Sequence, residues 1–187
     1  MARGTLILVV GPSGAGKDTL IEGAKRRLAG DPRFVFARRA ITRPAEAGGE
    51  DHEATTSAEF AGRKAAGGFL LDWRAHGLAY GLPADLAADL VSGRHVVANV
   101  SRAVIEDAAS RLAPVAVVAV TAPRAALVAR LAARGREAGA DRAERLSREG
   151  AAVPKGVSVT TIANDGTVAE GVARITAALE AIADGQK

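Results

Sequence analysis

The sequence predicts an α/β fold, a parallel sheet flanked by helices. Two observations predict it. Short aliphatic runs alternate with longer amphipathic stretches along the whole chain, which is the pattern of strands joined by helical crossovers. The first aliphatic run also ends in a glycine-rich turn that opens directly into a helical stretch.

The elements follow in order. Thr5 to Val10 is short and aliphatic and stops at Gly11-Pro12, as a buried strand does. Lys17 to Ala29 reads as a helix ended by Gly30 and Pro32. Phe34 to Ile41 is a second strand, and Thr42 to Asp51, with Pro44, Gly48 and Gly49, is a loop. Ser57 to Ala66 suits a short helix with Ser57 as its N-cap. Phe69 to Trp73 and Leu78 to Tyr80 read as short strands, and Pro83 to Val91 as a helix with proline in its first turn. His95 to Val100 and Val115 to Thr121 are further buried strands, with helices at Ser101 to Leu112 and Arg124 to Arg134. Val157 to Ala163 is the last strand and Val168 to Ala183 the last helix.

The 187 residues suit one domain with a sizeable core. Cysteine is absent, which excludes disulfides, cysteine nucleophiles and cysteine-ligated metals. Three scattered histidines argue against a histidine-rich metal site. Aromatics make up only 3%, too few for a platform that stacks single-stranded nucleic acid. Lys plus Arg number 25 against 21 Asp plus Glu, a net charge of +4 that suits an anionic small ligand. The apolar run Leu6 to Val10 is far too short to span a bilayer. Met1-Ala2-Arg3 leads straight into that strand without a secretory signal. The expectation is a cytoplasmic enzyme with neither nucleic acid nor membrane as partner.

The strongest motif is Gly11-Pro12-Ser13-Gly14-Ala15-Gly16-Lys17-Asp18-Thr19, placed between a strand and a helix. That is the context of a phosphate-binding loop: glycines let backbone N–H groups turn inward, the helix start adds a positive dipole end, and the lysine reaches the β- and γ-phosphates. These nine residues are expected to hold ATP. One position departs. Asp18 stands where a Ser or Thr usually meets Mg²⁺, and Thr19 follows. Either Asp18 approaches the metal through water or Thr19 takes over; alternatively, Asp18 is only a favourable acid in the first helical turn.

The guanine-reading Asn-Lys-x-Asp motif of GTP switches is missing. Instead Arg130, Arg134, Arg136, Arg142, Arg145 and Arg148 fall in one late segment, as in a kinase lid that stabilises charge during phosphoryl transfer. Interleaved acids leave a solvated helix face as the plain alternative.

In order along the chain come the phosphate loop, Thr42-Arg43, Phe69-Leu70 with Gly77-x-x-Tyr80-Gly81, Arg134-Gly135-Arg136 and Ile162-x-Asn164-Asp165. With these motifs the sequence resembles the guanylate kinase-like superfamily. The resemblance implies a P-loop nucleotide kinase-like domain over residues 1–187, with a mobile acceptor-binding insertion at about 42–82 and an Arg-rich lid at about 134–150. Leu71 stands where guanylate kinases carry the Glu that reads guanine, and a leucine cannot accept those hydrogen bonds. Asp18, the Gly48-Gly49-Glu50-Asp51-His52 loop and Asn99-x-Ser101-Arg102 depart from guanylate kinases, and beside them stands Trp73-x-x-His76-Gly77. These are similar to the ribose 1,5-bisphosphate phosphokinase family.

That resemblance implies transfer of phosphate from ATP, with Mg²⁺ as cofactor, to ribose 1,5-bisphosphate, giving 5-phosphoribosyl 1-diphosphate in phosphonate breakdown. A nucleoside monophosphate kinase acting on GMP and a non-catalytic binding module are the alternatives, and a homodimer is compatible with all three. It also implies roles. Lys17, Arg43, Arg134 and Arg136 act on the transferring phosphoryl; Arg43, His52, His76, Tyr80 and Arg102 bind the acceptor; Asn164 borders the adenine; Asp18 or Thr19 meets the metal. For His76 a plain turn residue, for Tyr80 simple packing, and for Asn164 a plain turn are equally consistent with the sequence. The charge problem of joining two polyanions predicts a cationic pocket.

Overall fold

In the computed structural model, which describes residues 3–47, 50–133 and 153–185, the first strand β1 (Leu6–Val10) is wholly buried. Its side chains alternate between two cores. Leu6, Leu8 and Val10 join one apolar cluster, while Ile7 and Val9 join the other. A strand buried on both faces needs partners on both edges, and β1 has them in β7 (His95–Asn99) and β8 (Val115–Thr121), both parallel. With β2 (Phe34–Phe36) and β9 (Ser158–Ala163) the sheet order is β2-β7-β1-β8-β9. The described architecture is thus the expected α/β layering.

On one face pack α1 (Lys17–Arg27) and the final helix α6 (Val168–Asp184). Leu20 and Ala24 of α1 meet Val172, Ile175 and Leu179 of α6 in the core beside Ile7 and Val9. A capping box formed by Thr167 and Glu170 starts α6. On the other face lie α3 (Leu86–Val91) and α4 (Ile105–Arg111). Helix α5 (Arg124–Ala133) follows β8.

A second sheet, ordered β4-β3-β6-β5, is built from β3 (Ala40–Ile41), β4 (Glu53–Ala54), β5 (Phe69–Ala75) and β6 (Leu78–Pro83). Strands β5 and β6 are antiparallel and joined at His76-Gly77, both with positive φ (53° and 73°). That backbone suits the two-residue hairpin turn matching strand twist. Leu70, Leu71, Trp73 and Leu82 enter the same apolar cluster as Leu6 and Leu8. The second sheet therefore shares a core with the first.

Several local expectations need correction. The strand expected over Phe34 to Ile41 is two strands in two sheets. The backbone leaves the parallel sheet after Ala37, whose N–H still donates to Val97 (2.9 Å), and crosses at Arg38-Arg39. The cap of α2 (Ser57–Ala65) is Thr56, which forms a capping box with Glu59 and displaces Ser57 to the first helical position. Pro83 belongs to the end of β6, opposite Phe69, and α3 starts three residues later. Both hairpin strands run longer than expected. No helix among the described residues is long and apolar enough to cross a membrane.

Candidate active site

The carboxyl ends of β1 and β7 meet where the glycine-rich loop leaves the sheet, the edge at which open parallel sheets bind ligands. Gly11 sits so close to β8 that a Cβ there would lie 2.2 Å from the Val120 carbonyl oxygen. Gly16, the N-cap of α1, has φ 89° and ψ 16°, a left-handed conformation that glycine adopts without a steric penalty. Lys17 Nζ donates back to the carbonyls of Gly11 (2.8 Å) and Pro12 (3.1 Å). The lysine is thus folded over its own loop beside the first turn of α1.

Two asparagines brace the loop from other strands. Asn164, 6% exposed just after β9, donates through Nδ2 to the Ala15 carbonyl at 2.7 Å. Its own N–H donates to Thr121 at the end of β8, at 2.7 Å. Next to it, the Arg174 guanidinium on Asp165 (2.7 Å) holds that carboxyl below the usual carboxylate range. Asn164 thus shapes the phosphate loop from beneath, a more definite place than the plain turn the sequence allowed. Asn99, the last residue of β7, donates through Nδ2 to Asp18 Oδ1 at 2.6 Å. Thr19 is exposed on the following position.

The residues expected to bind the acceptor lie on the second sheet and its loops, except Arg102, which follows β7 of the first sheet. Thr42 extends β3 by accepting from the Ala79 N–H at Oγ1 (2.8 Å) and donating its own N–H to the Ala79 carbonyl (3.0 Å). That fixes the start of the next residue, Arg43. His52 is 5% exposed and brackets it. In the tautomer that donates from Nε2 to the Arg43 carbonyl (3.2 Å), Nδ1 accepts from Arg43 Nη2 (3.3 Å). The Glu50 carbonyl lies 3.0 Å from the same Nδ1. His52, expected to meet the acceptor, is buried here against Arg43. Arg43 Nε is buried with no hydrogen-bond partner among the described residues. A buried guanidinium N–H left in that state is costly unless a ligand satisfies it.

Tyr80 lies opposite Trp73 in the hairpin, with rings 5.4 Å apart and only 5° from parallel. His76 stands exposed at the hairpin turn, and Arg102 opens the short 3-10 turn after Ser101. Arg134 and Arg136, and the rest of the expected lid, lie outside the described residues, as do Gly48 and Gly49.

Sequence reasoning missed Arg39. Its side chain is 9% exposed and every nitrogen of its guanidinium is engaged. Nε donates to Glu50 Oε2 at 2.8 Å, Nη2 to Glu50 Oε1, and Nη1 to the Asn99 carbonyl at 2.9 Å. The same group lies 5.2 Å from the Tyr80 ring centroid and 5.8 Å from that of Trp73, within cation–π reach. Arg38 pairs with Asp51 in parallel (2.9 Å). The signal was present as two adjacent arginines followed by two adjacent acids around the loop. A doublet of this kind does not say which partners will be buried.

Between α1 and this second layer runs a cleft of about 560 Å³, with Asp18 and Thr19 on one wall and Arg39, Glu50 and Asn99 on the other. Its lining carries four carboxylates and four cationic side chains. This cleft is therefore electrically balanced, and Lys17, Arg43 and Arg102 are not part of its lining. Leu71, where a guanine reader was missed, is 2% exposed within the core of Leu8, Leu70 and Trp73.

No protein-family model matches the chain. The curated relatives include a bifunctional ribose 1,5-bisphosphokinase-thymidine phosphorylase of Cupriavidus necator, 54% identical over 178 residues, which cover 95% of this chain and 29% of that protein. The chain spans less than a third of the length of such bifunctional relatives. Ribose 1,5-bisphosphate phosphokinase PhnN of Methylobacterium radiotolerans is 50% identical over 179 residues, 95% of this chain and 98% of that one. Among solved structures, guanylate kinase from Anaplasma phagocytophilum aligns with a TM-score of 0.69 at 18% identity, covering 96% of this chain and 86% of its own. That likeness shows the fold.

Proposed function

The chain belongs to the ribose 1,5-bisphosphate phosphokinase family, and from that premise we propose that it transfers the γ-phosphoryl group of ATP to the 1-phosphate of ribose 1,5-bisphosphate. The products are 5-phosphoribosyl 1-diphosphate and ADP. The observation that carries the reading is Leu71: a fully buried leucine closes the position where a purine would be read, and leaves an acceptor recognised by its phosphates and sugar.

The acceptor oxygen brings its own charge. The second pKa of a phosphate ester is about 6, so near neutral pH the attacking oxygen is already anionic and needs no general base. This agrees with Asn99, rather than an acid, at the end of β7. The protein's task is then to position two anions and offset their repulsion. Backbone N–H groups of Ser13 to Lys17 and the Lys17 ammonium hold the ATP phosphates. Lys17 exchanges the Gly11 and Pro12 carbonyls for phosphate oxygens. Arg43, steadied by His52, grips an acceptor phosphate, and its buried Nε is the N–H such an oxygen would satisfy. Tyr80 and Arg102 flank the acceptor, and Arg134 and Arg136 close over the transferring phosphoryl.

The donor set fits a magnesium ion carried in with ATP. Mg²⁺ keeps several waters and takes only one or two carboxylates, and Asp18, held at one oxygen by Asn99, offers the other, with Thr19 alongside. When bound, the ion offsets negative charge on the β- and γ-phosphates. The use of ATP supports a cytoplasmic setting, and phosphonate breakdown is the proposed source of the acceptor.

Mass spectrometry of the product formed from Mg-ATP and ribose 1,5-bisphosphate tests the reading. A new pentose carrying three phosphates supports it. An enzyme that ignores this pentose and consumes GMP overturns it.

A further inference from the structure

Beside a site proposed to join two polyanions, a fixed carboxylate is out of place. Phosphate oxygens near neutral pH accept hydrogen bonds, and an ionised carboxylate can only accept them as well. Glu50 nevertheless lines the cleft, with its side chain 17% exposed. It is also the most firmly held acid there. Both oxygens receive the fork of Arg39, whose third nitrogen is tied to Asn99 and whose plane lies against Trp73 and Tyr80. Three of the five N–H groups of Arg39 are engaged, two of them on Glu50. Its geometry serves to neutralise Glu50 and fix its direction.

An ionised carboxylate has about four acceptor positions, and Arg39 fills two of them. The chemical groups on a phosphorylated sugar that can fill the others are its hydroxyls. The Glu50 carbonyl lies 3.0 Å from Nδ1 of His52, the same nitrogen that meets Arg43, so Glu50 stands beside the arginine proposed to grip the acceptor. We propose that Glu50, held by Arg39, is the specificity-determining residue that accepts hydrogen bonds from the free hydroxyls of the acceptor sugar. This rests on the phosphorylated-pentose reading above and adds the group that reads the sugar.

The test compares ribose 1,5-bisphosphate with 2-deoxyribose 1,5-bisphosphate as acceptors for the purified full chain, in the native protein, Glu50→Gln and Glu50→Asp. The Asp variant keeps the charge opposite Arg39 and withdraws it by one methylene, so it guards against a simple folding failure of the Gln variant. The native protein is expected to favour the ribose compound in kcat/KM by roughly 10- to 100-fold, the scale of a hydrogen bond to a charged group. Both variants should lose most of that preference through a raised KM for the ribose compound, with KM for ATP unchanged. A variant that keeps the preference overturns the inference. So does a variant whose change is confined to Mg²⁺ dependence or KM for ATP, since Glu50 would then serve the donor side. A native protein that phosphorylates ribose 1,5-bisphosphate without any preference also overturns it, while leaving the proposed reaction standing. A native protein inert to both pentoses overturns the reaction and the inference together.

Discussion

The two walls of the proposed site, one for the donor and one for the acceptor, are built by different means. The donor wall is backbone: a left-handed glycine, a helix start, and carbonyls of Gly11, Pro12 and Ala15 that already have partners in Lys17 and Asn164. The acceptor wall is side chain: Arg39 on Glu50, Arg38 on Asp51, Arg43 on His52. Backbone N–H groups have fixed direction and read any phosphate alike, which suits a donor whose reacting end is always a triphosphate. Side chains can be exchanged one at a time, which suits the wall that must select an acceptor. Balanced charge on the cleft lining follows in part from these pairs, because Arg38 and Arg39 are each matched by an acid.

The comparison breaks or sharpens under substitution. Leu71→Glu is expected to have the largest effect. It places a carboxyl in the core shared by both sheets and should cost about 3–5 kcal/mol of stability, the scale of an unpaired buried charge. Chemical denaturation reads it; a stable variant that gains GMP activity would show the site to be open. Lys17→Ala should lower kcat by at least ~10²-fold, as when one preorganised charge leaves the transition state, with the fold intact by circular dichroism. Near-native turnover would remove the donor wall from the chemistry.

Arg43→Met should raise KM for the acceptor by roughly 10-fold or more, on the scale of a lost charge-assisted hydrogen bond, and leave KM for ATP in place. Asn164→Ala should do the reverse. It orphans the Ala15 carbonyl, costing about 1–3 kcal/mol of stability and raising KM for ATP. Equal effects of either variant on both substrates would mean that the two walls are one unit.

The smallest effect lies outside both walls. His95 begins β7, at the opposite end from Asn99, and its Nδ1 accepts from the Thr5 N–H at 3.1 Å. Burial, with Arg33 nearby, pushes this imidazole below its ordinary value. A folded state that resists protonation loses stability as pH falls. The contribution is whole above about 6.5, the ordinary histidine value, and declines below it until the folded group also titrates. Thermal melts between pH 7.5 and pH 5, against His95→Gln, measure the slope; neither substrate's KM should follow it.

The phosphate loop was legible from the sequence because its function depends on consecutive backbone atoms. Gly11 to Thr19 fix their own geometry once a strand precedes and a helix follows. Leu71 was legible as a lost reader, since a missing hydrogen-bond acceptor is a property of one residue. Its burial was not, and burial changes what a substitution there would do. The burial of His52 against Arg43 was not legible either, because its neighbours there come from another part of the chain. Arg39 went unnoticed because nothing within its own segment distinguishes it from Arg38, yet one arginine ends buried on Glu50 and the other exposed on Asp51.

The sequence by itself determined the alternation of strands and helices, the glycine-rich turn between the first strand and helix, and the lack of a hydrogen-bonding side chain at Leu71, all of which arise from local spacing and local chemistry. Only the tertiary structure decided which charges meet. Asn99 reaches Asp18 across 81 positions and Asn164 reaches Ala15 across 149, because strand order in the sheet brings their ends together. The direction of a buried side chain is set by the neighbours that exclude water from it, and those neighbours come from elsewhere in the chain.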